Sequence, residues 1–370
     1  MRLKGLKPSI PISDMNYIGS KHSLLPFLEQ HILDFVDLED ATFFDIFAGT
    51  GAVGRHFKRF GGRIVANDIQ HYSYCLNRAY VGLNEEPGFA ALVDGLPGAA
   101  RREPVEAVLA YLNDLPGVEG FVYRHYCPGG SAGSPYPRRY YTDANGRRCD
   151  AIRLQIQAWF EAGRITEDEY FYLLACLIEA IDKVANTASV YGAFLKRIKK
   201  SARKPLALQP LDLVSSPRRH VVYNRDGEEL VGQVDCDVLY IDPPYNQRQY
   251  CTNYHVLETI SRYDRPQLSG VTGLRDYSAQ KSNFCRRDKA LEALDRLLRL
   301  TPARHVFLSY NNEGLMPQED ICAVMRRYGQ VTLRRREYGR FRADIDRENR
   351  RYKADRVVEY LFCLSKTSGP

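Results

Sequence analysis

Apolar residues in this chain fall into short dense runs separated by glycine- and proline-rich turns, with helical spacing in a few longer stretches. ATFFDIF (41–47) predicts a buried strand, AGTGAVG a tight turn, VGRHFKRF a helix, and IVAND (64–68) a second strand. DVLYID (237–242) and HVFLSY (305–310) read as further strands. Between them DKALEALDRLLRL (288–300) is amphipathic, with Leu291, Leu294, Leu297 and Leu298 on one face. VTLRRREY (331–338) and RVVEYLFCLS (356–365) have the pattern of a terminal hairpin.

From about Asn84 to Asp235 the character changes. GFVYRHYCPGGSAGSPYPRRYY (120–141) holds three Pro, four Gly and five Tyr and predicts loop. Two helices follow: one aligns Ile152, Ile156, Trp159 and Phe160, and the other, YFYLLACLIEAIDKVA (170–185), is apolar nearly all round and so reads as buried. The expected architecture is one α/β domain, residues 1–85 and 232–370, split by an insertion over 86–231.

Composition narrows the class. With 370 residues, 44% hydrophobic and 26% charged, the chain is a globular protein with room for a substantial core. No apolar run approaches the roughly 20 residues that cross a bilayer, so no membrane association is expected. The start, MRLKGLKPSIPIS, lacks the apolar segment of a signal peptide. The closest of the nine cysteines, Cys236 and Cys251, are too far apart for a zinc motif, and no metal is expected. Unpatterned cysteines point to a reducing cytoplasm. Lys plus Arg exceed Asp plus Glu by 52 − 45 = 7, which permits a polyanionic partner.

Gly49, Gly51 and Gly54 form G-x-G-x-x-G between a strand and a helix, and Asp68 ends the next strand. Such glycines let a backbone approach a ligand, and an acidic side chain about 20 residues on can hold ribose hydroxyls. A turn that merely packs helix on strand would look the same. Asp45, near the end of the first strand, suits a ligand carrying an ammonium group better than a pyrophosphate.

Asp242-Pro243-Pro244-Tyr245 follows the strand VLYI. Consecutive prolines stiffen this turn and leave the Pro243 carbonyl free as an acceptor. A carboxylate and a carbonyl together can accept both hydrogens of an exocyclic amino group and aim its lone pair at an electrophilic methyl. Tyr245 offers a ring on which a base can stack. The bland alternative is an aspartate capping a turn beside a core tyrosine.

These motifs together resemble the Dam-type family of DNA adenine-N6 methyltransferases. The resemblance rests on NYIGSKHSLLPFL (16–28), FFDIFAGTGAVGRHF (43–57), VANDI (65–69), LYIDPPYNQRQY (239–250) and HVFLSYNNEGL (305–315), in the family's order. It implies a Rossmann-like S-adenosylmethionine-dependent methyltransferase sheet with a largely helical and loop target-recognition insertion. It further implies that Tyr17, Lys21, Asp45, Phe47, Gly49, Gly51 and Asp68 serve S-adenosylmethionine, and that Asp242, Pro243 and Tyr245 are catalytic. The expected partner is double-stranded DNA, with a cognate restriction endonuclease in a restriction-modification setting. The protein is expected to be a prokaryotic or phage-encoded cytoplasmic monomer.

KRIKKSARK (196–204) has six basic residues in nine, residues 334–356 hold ten basic and five acidic residues, and Arg138, Arg139, Arg147 and Arg148 flank a tyrosine pair. Each run could be a solvated face; together they suit phosphate contacts. Segment 185–206 resembles the family's hairpin beside the target site, which places Tyr191, Lys196, Lys199 and Lys200 on DNA. An RNA base methyltransferase, a nicotinamide dehydrogenase and a catalytically silent DNA-binding subunit are the competing readings. Of these, the last two leave NYIGSK and DPPY without a use.

Overall fold

The computed structural model describes residues 21–339 and 356–367, so Tyr17 and most of the 334–356 basic run lie outside the described residues. A single sheet organises the chain, built from β1 (Thr42–Asp45), β2 (Arg63–Asn67), β3 (Val221–Tyr223), β4 (Val238–Ile241), β5 (His305–Asn311), β6 (Gly329–Gly339) and β7 (Arg356–Lys366). Its spatial order is β3-β2-β1-β4-β5-β7-β6. Strands β1 to β5 run parallel, while β7 is antiparallel to both β5 and β6. The terminal hairpin therefore exists as expected, wedged against β5 by its second strand.

The parallel strands are apolar because helices cover both faces. On one face Phe43, Tyr240 and Phe307 pack with Leu25, Leu28 and Ile32 of α1 (Leu25–Leu33) and Phe57 of α2 (Ala52–Phe57). On the other, Phe44, Leu239 and Leu308 meet Leu294, Leu297 and Leu298 of helix Ala290–Leu300. Each of those buried leucines contributes about 1.5–3 kcal/mol relative to an exposed one.

The order reverses direction between β1 and β4, the point at which sheets of this type leave a crevice beyond their carboxyl ends. Register sets what meets there. Asp45 aligns with Ala66 on β2 and with Tyr240 on β4. Asp68 and Asp242 each lie two residues beyond those partners, so three carboxylates reach one edge of the sheet.

The insertion is joined to the sheet domain in two ways. Its last part, Val221–Tyr223, is edge strand β3 and pairs with β2, so the sheet begins before residue 232. It also builds no separate core: Leu173, Leu174 and Leu177 of helix Glu167–Lys183 share one cluster with Tyr72, Leu76 and Ala79 of α3 (His71–Tyr80). Thr166 and Glu169 close a reciprocal capping box that starts that buried helix. Segment 120–141 is less loop-like than its composition suggests. Phe121–Tyr126 is helical, and Tyr126, Tyr140 and Tyr141 are fully buried, their rings filling core volume while the Tyr126 and Tyr140 hydroxyls donate to the carbonyls of Gly273 and Tyr191. Ile152 and Ile156 are buried as their spacing implies, whereas Phe160 is partly exposed beside Tyr170.

Candidate active site

The glycine turn owes its shape to two residues in the left-handed region, Gly49 (φ 53°) and Gly51 (φ 81°). A methyl group added at Gly51 would stand 2.9 Å from the Asn77 side-chain oxygen, so a larger residue is excluded by space as well as by backbone conformation. Asn77 Nδ2 donates to the Gly49 carbonyl at 3.0 Å, and the Ser73 hydroxyl donates to the same oxygen. The Gly49 amide donates in turn to Asp68 Oδ2 at 2.9 Å, and the Gln70 amide to Asp68 Oδ1 at 2.8 Å. Asp68 is thus clamped with one donor on each oxygen, leaving lone pairs for a ligand. Burial pushes its carboxyl up to about 6, against the opposing pull of the two amides.

Asp45 is a different kind of carboxylate. It is buried, and neither of its oxygens has a well-formed hydrogen bond, although the Phe47 amide lies near enough to favour the ionised form. Burial first, then the carboxylates of Asp242 and Asp68, hold its carboxyl well above the usual range. A buried acid without a partner is costly in isolation and is satisfied by a cationic ligand.

The D-P-P-Y turn closes the opposite side. Lys21 Nζ pairs with Asp242 Oδ2 at 2.9 Å, and the Tyr245 hydroxyl donates to Asp242 Oδ1 at 2.7 Å. The same lysine sits 4.9 Å from the centre of the Tyr245 ring, which is backed by Tyr310 at 4.7 Å. Burial, with Asp242 alongside, raises the Tyr245 phenol well above its ordinary value, so it remains a donor. Asp242 therefore keeps a fixed orientation while spare lone pairs face the opening.

One cleft gathers Lys21, Asp45, Phe47, Gly49, Asp68, Asp242, Pro243 and Tyr245. Gly51 stands just behind it as the N-cap of α2. The sequence reading passed over Gln249, Tyr250, Gln280 and Ser282, which also line the cleft, and Ser309, 3.4 Å from the Tyr245 hydroxyl. Gln249 and Tyr250 lie inside the LYIDPPYNQRQY segment and Ser309 inside HVFLSYNNEGL; nothing local marks Gln280 or Ser282.

The residues expected on DNA separate. Tyr191 is fully buried: its hydroxyl donates to Asp182 at 2.7 Å and its carbonyl accepts from Tyr140 at 2.6 Å, so it is a core residue and its expected DNA contact is withdrawn. Lys199 is half-buried and donates to the Thr187 carbonyl at 2.7 Å. Lys196 and Lys200 are exposed. Arg138 is also buried, holding the carbonyls of His125, Gly270 and Val271. All nine cysteines are buried and free, and among the described residues no group of His, Cys, Asp or Glu could hold a metal and no helix is long and apolar enough to cross a membrane.

Residues 17–324 match the family described as D12 class N6 adenine-specific DNA methyltransferase. The type II methyltransferase M.NlaIII of Neisseria lactamica is 44% identical over 355 residues, covering 95% of this chain and 100% of the relative. M.CviAII of Paramecium bursaria Chlorella virus 1 is 33% identical over 352 residues, covering 94% and 97%. M.FokI of Planomicrobium okeanokoites is 35% identical over 361 residues; 95% of this chain aligns, but it spans only 53% of that longer relative.

Proposed function

The chain belongs to the D12 class N6 adenine-specific DNA methyltransferase family, and from that premise we propose that it methylates N6 of an adenine turned out of double-stranded DNA at a specific site, with S-adenosylmethionine as methyl donor. One observation carries the reading: Asp45 and Asp68, beside the glycine turn, line one cleft with Asp242 and Pro243.

The residues present fit the cofactor. Asp45, buried without a well-formed partner, suits its ammonium group, and Asp68, clamped but with lone pairs to spare, suits its ribose hydroxyls. Gly49 and Gly51 allow close backbone approach, and Phe47 adds an apolar wall. When bound, S-adenosylmethionine supplies an electrophilic methyl on a sulfonium. The chain itself orients the acceptor. A target base must leave the stack to reach such a cleft, at a cost of a few kcal/mol, of which stacking on Tyr245 returns about 1–3 kcal/mol. Asp242 and the Pro243 carbonyl accept the two hydrogens of the amino group and concentrate electron density on nitrogen. Lys21 and the Tyr245 hydroxyl hold the Asp242 carboxylate for that task, and Asp242 is then placed to take the proton that the methylated nitrogen releases. Cys251 lines the cleft, but burial pushes its thiol up to about 12, which leaves it no nucleophile for attack on a cytosine ring.

Exposed Lys196 and Lys200 supply phosphate contacts. The relatives named as type II methyltransferases and modification methylases suggest a restriction-modification setting, with a cognate endonuclease as functional partner and a bacterial or viral source. The catalytic unit acts as a monomer. Incubation with labelled S-adenosylmethionine and plasmid DNA, followed by nucleoside analysis, should place the label in N6-methyladenine. Label in methylcytosine, or transfer to RNA alone, would overturn the reading.

A further inference from the structure

We infer that Arg248 is a positioning residue that holds a phosphodiester of the extruded adenosine at the mouth of the cleft, and that Gly192 provides the surface against which it is aimed. The inference rests on the DNA-adenine reading above. Arg248 lies between Tyr245 and the cleft-lining pair Gln249 and Tyr250, yet its own side chain is exposed and makes no ion pair among the described residues. The loop that presents it is pinned throughout. The Leu315 amide donates to the Tyr245 carbonyl at 3.0 Å, and the Arg248 amide to Asn246 Oδ1 at 2.9 Å. Gln249 and Ser282 exchange two hydrogen bonds, of 3.1 and 2.8 Å.

The guanidinium lies against Gly192, where an added methyl group would overlap it. That glycine begins the basic loop and is itself held from behind: the neighbouring Tyr191 amide donates to the Asn253 carbonyl at 2.7 Å, and the Tyr191 carbonyl lies 3.0 Å from His255 Nε2. Residues 185–206 contain no Asp or Glu, and Lys196, Arg197 and Lys200 beyond Gly192 are exposed. Arg248 thus joins the catalytic turn to the most basic loop of the insertion, at an electropositive rim. A guanidinium fork matches two oxygens of a phosphodiester. Flipping rotates the nucleotide about its backbone, so a cation presented at the cleft mouth by a pinned loop contacts the extruded form more than the stacked one and shifts the population towards it.

The test uses the full chain and a duplex oligonucleotide built around an adenine that the wild type methylates in plasmid DNA. A second duplex carries an abasic site opposite that adenine, so that extrusion no longer breaks a base pair. Arg248→Ala removes the cation, whereas Gly192→Ala keeps it but displaces it, at a position whose backbone tolerates alanine. Both variants should lose about tenfold in transfer to the paired duplex and regain most of it on the abasic one. Cofactor affinity by calorimetry should not change, and 2-aminopurine at the target position should brighten less than with wild type. Equal loss on both duplexes, or loss on neither, would overturn the role of Arg248. Absence of N6-methyladenine from wild-type reactions on both duplexes would instead defeat the underlying reading.

Discussion

Lys21 and Asp242, which both line the cleft, form an ion pair of 2.9 Å that joins the segment before the first helix to the turn after β4. The lysine is 5% exposed and the aspartate 17%, so each charge depends on the other for the hydration both have lost. With the Tyr245 hydroxyl on the other oxygen, the pair also fixes which lone pairs of the carboxylate remain for a substrate.

Replacing Lys21 by Met should separate positioning from cofactor binding. The unpaired Asp242 would drift from its productive orientation, and kcat should fall by about 10²-fold, approaching the loss of a preorganised group itself. Calorimetric affinity for S-adenosylmethionine should move far less. A variant with weakened cofactor binding and normal kcat would show instead that Lys21 serves the cofactor alone.

Asp242→Ala should leave cofactor binding and duplex binding in place, at some cost in stability because buried Lys21 loses this counter-charge, while transfer drops about 10²–10³-fold. A duplex with hypoxanthine at the target position, which lacks the exocyclic amino group, should bind and accept no methyl. Tyr245→Phe keeps the ring but loses the 2.7 Å bond to Asp242, so it should slow transfer without weakening base capture. Tyr245→Ala should lose both, with capture poorer by about 1–3 kcal/mol. Near wild-type rates from Asp242→Ala would remove this turn from catalysis.

Asp68 predicts a pH dependence with a definite sign. Its carboxyl is raised to about 6 in the free protein, and hydroxyl donors from a ribose favour the ionised form. Its contribution to cofactor affinity is therefore complete above pH 6 and shrinks as the pH falls through about 6. The advantage of wild type over Asp68→Asn should be about 1.5–3 kcal/mol at pH 8 and should narrow below pH 6. Calorimetry at several pH values, finding a constant difference, would contradict a ribose role.

The basic loop and its neighbour Tyr191 should behave in opposite ways. Neutralising Lys196 and Lys200 should weaken binding to all duplexes alike and flatten the log affinity against log salt slope by about 0.9 per lost phosphate contact. Tyr191→Phe should leave that slope unchanged but lower stability by about 1–3 kcal/mol, because Asp182 loses a buried donor. A changed slope with unchanged melting for Tyr191→Phe would return that residue to the DNA surface.

What the sequence determined by itself was local: the strands that carry Asp45 near an end, end at Asp68 and precede the Asp242 turn, the glycine turn between Gly49 and Gly51, the amphipathic helix through Leu294 and Leu298, and the terminal hairpin. Those features follow from side-chain periodicity and from the backbone demands of Gly and Pro, which neighbouring residues express. The tertiary structure alone decided that β1 stands beside β4 and so brings Asp45 and Asp68 to face Asp242. It alone paired Lys21 with Asp242, made β3 out of the insertion's end, and set Arg248 against Gly192. Tyr191 shows the reason most plainly. Beside KRIKK it reads as a DNA-facing ring, but whether a tyrosine is core or surface depends on what packs over it, and here Tyr140 and His255 come from distant parts of the chain, and Asp182 from the preceding helix, to satisfy its polar atoms.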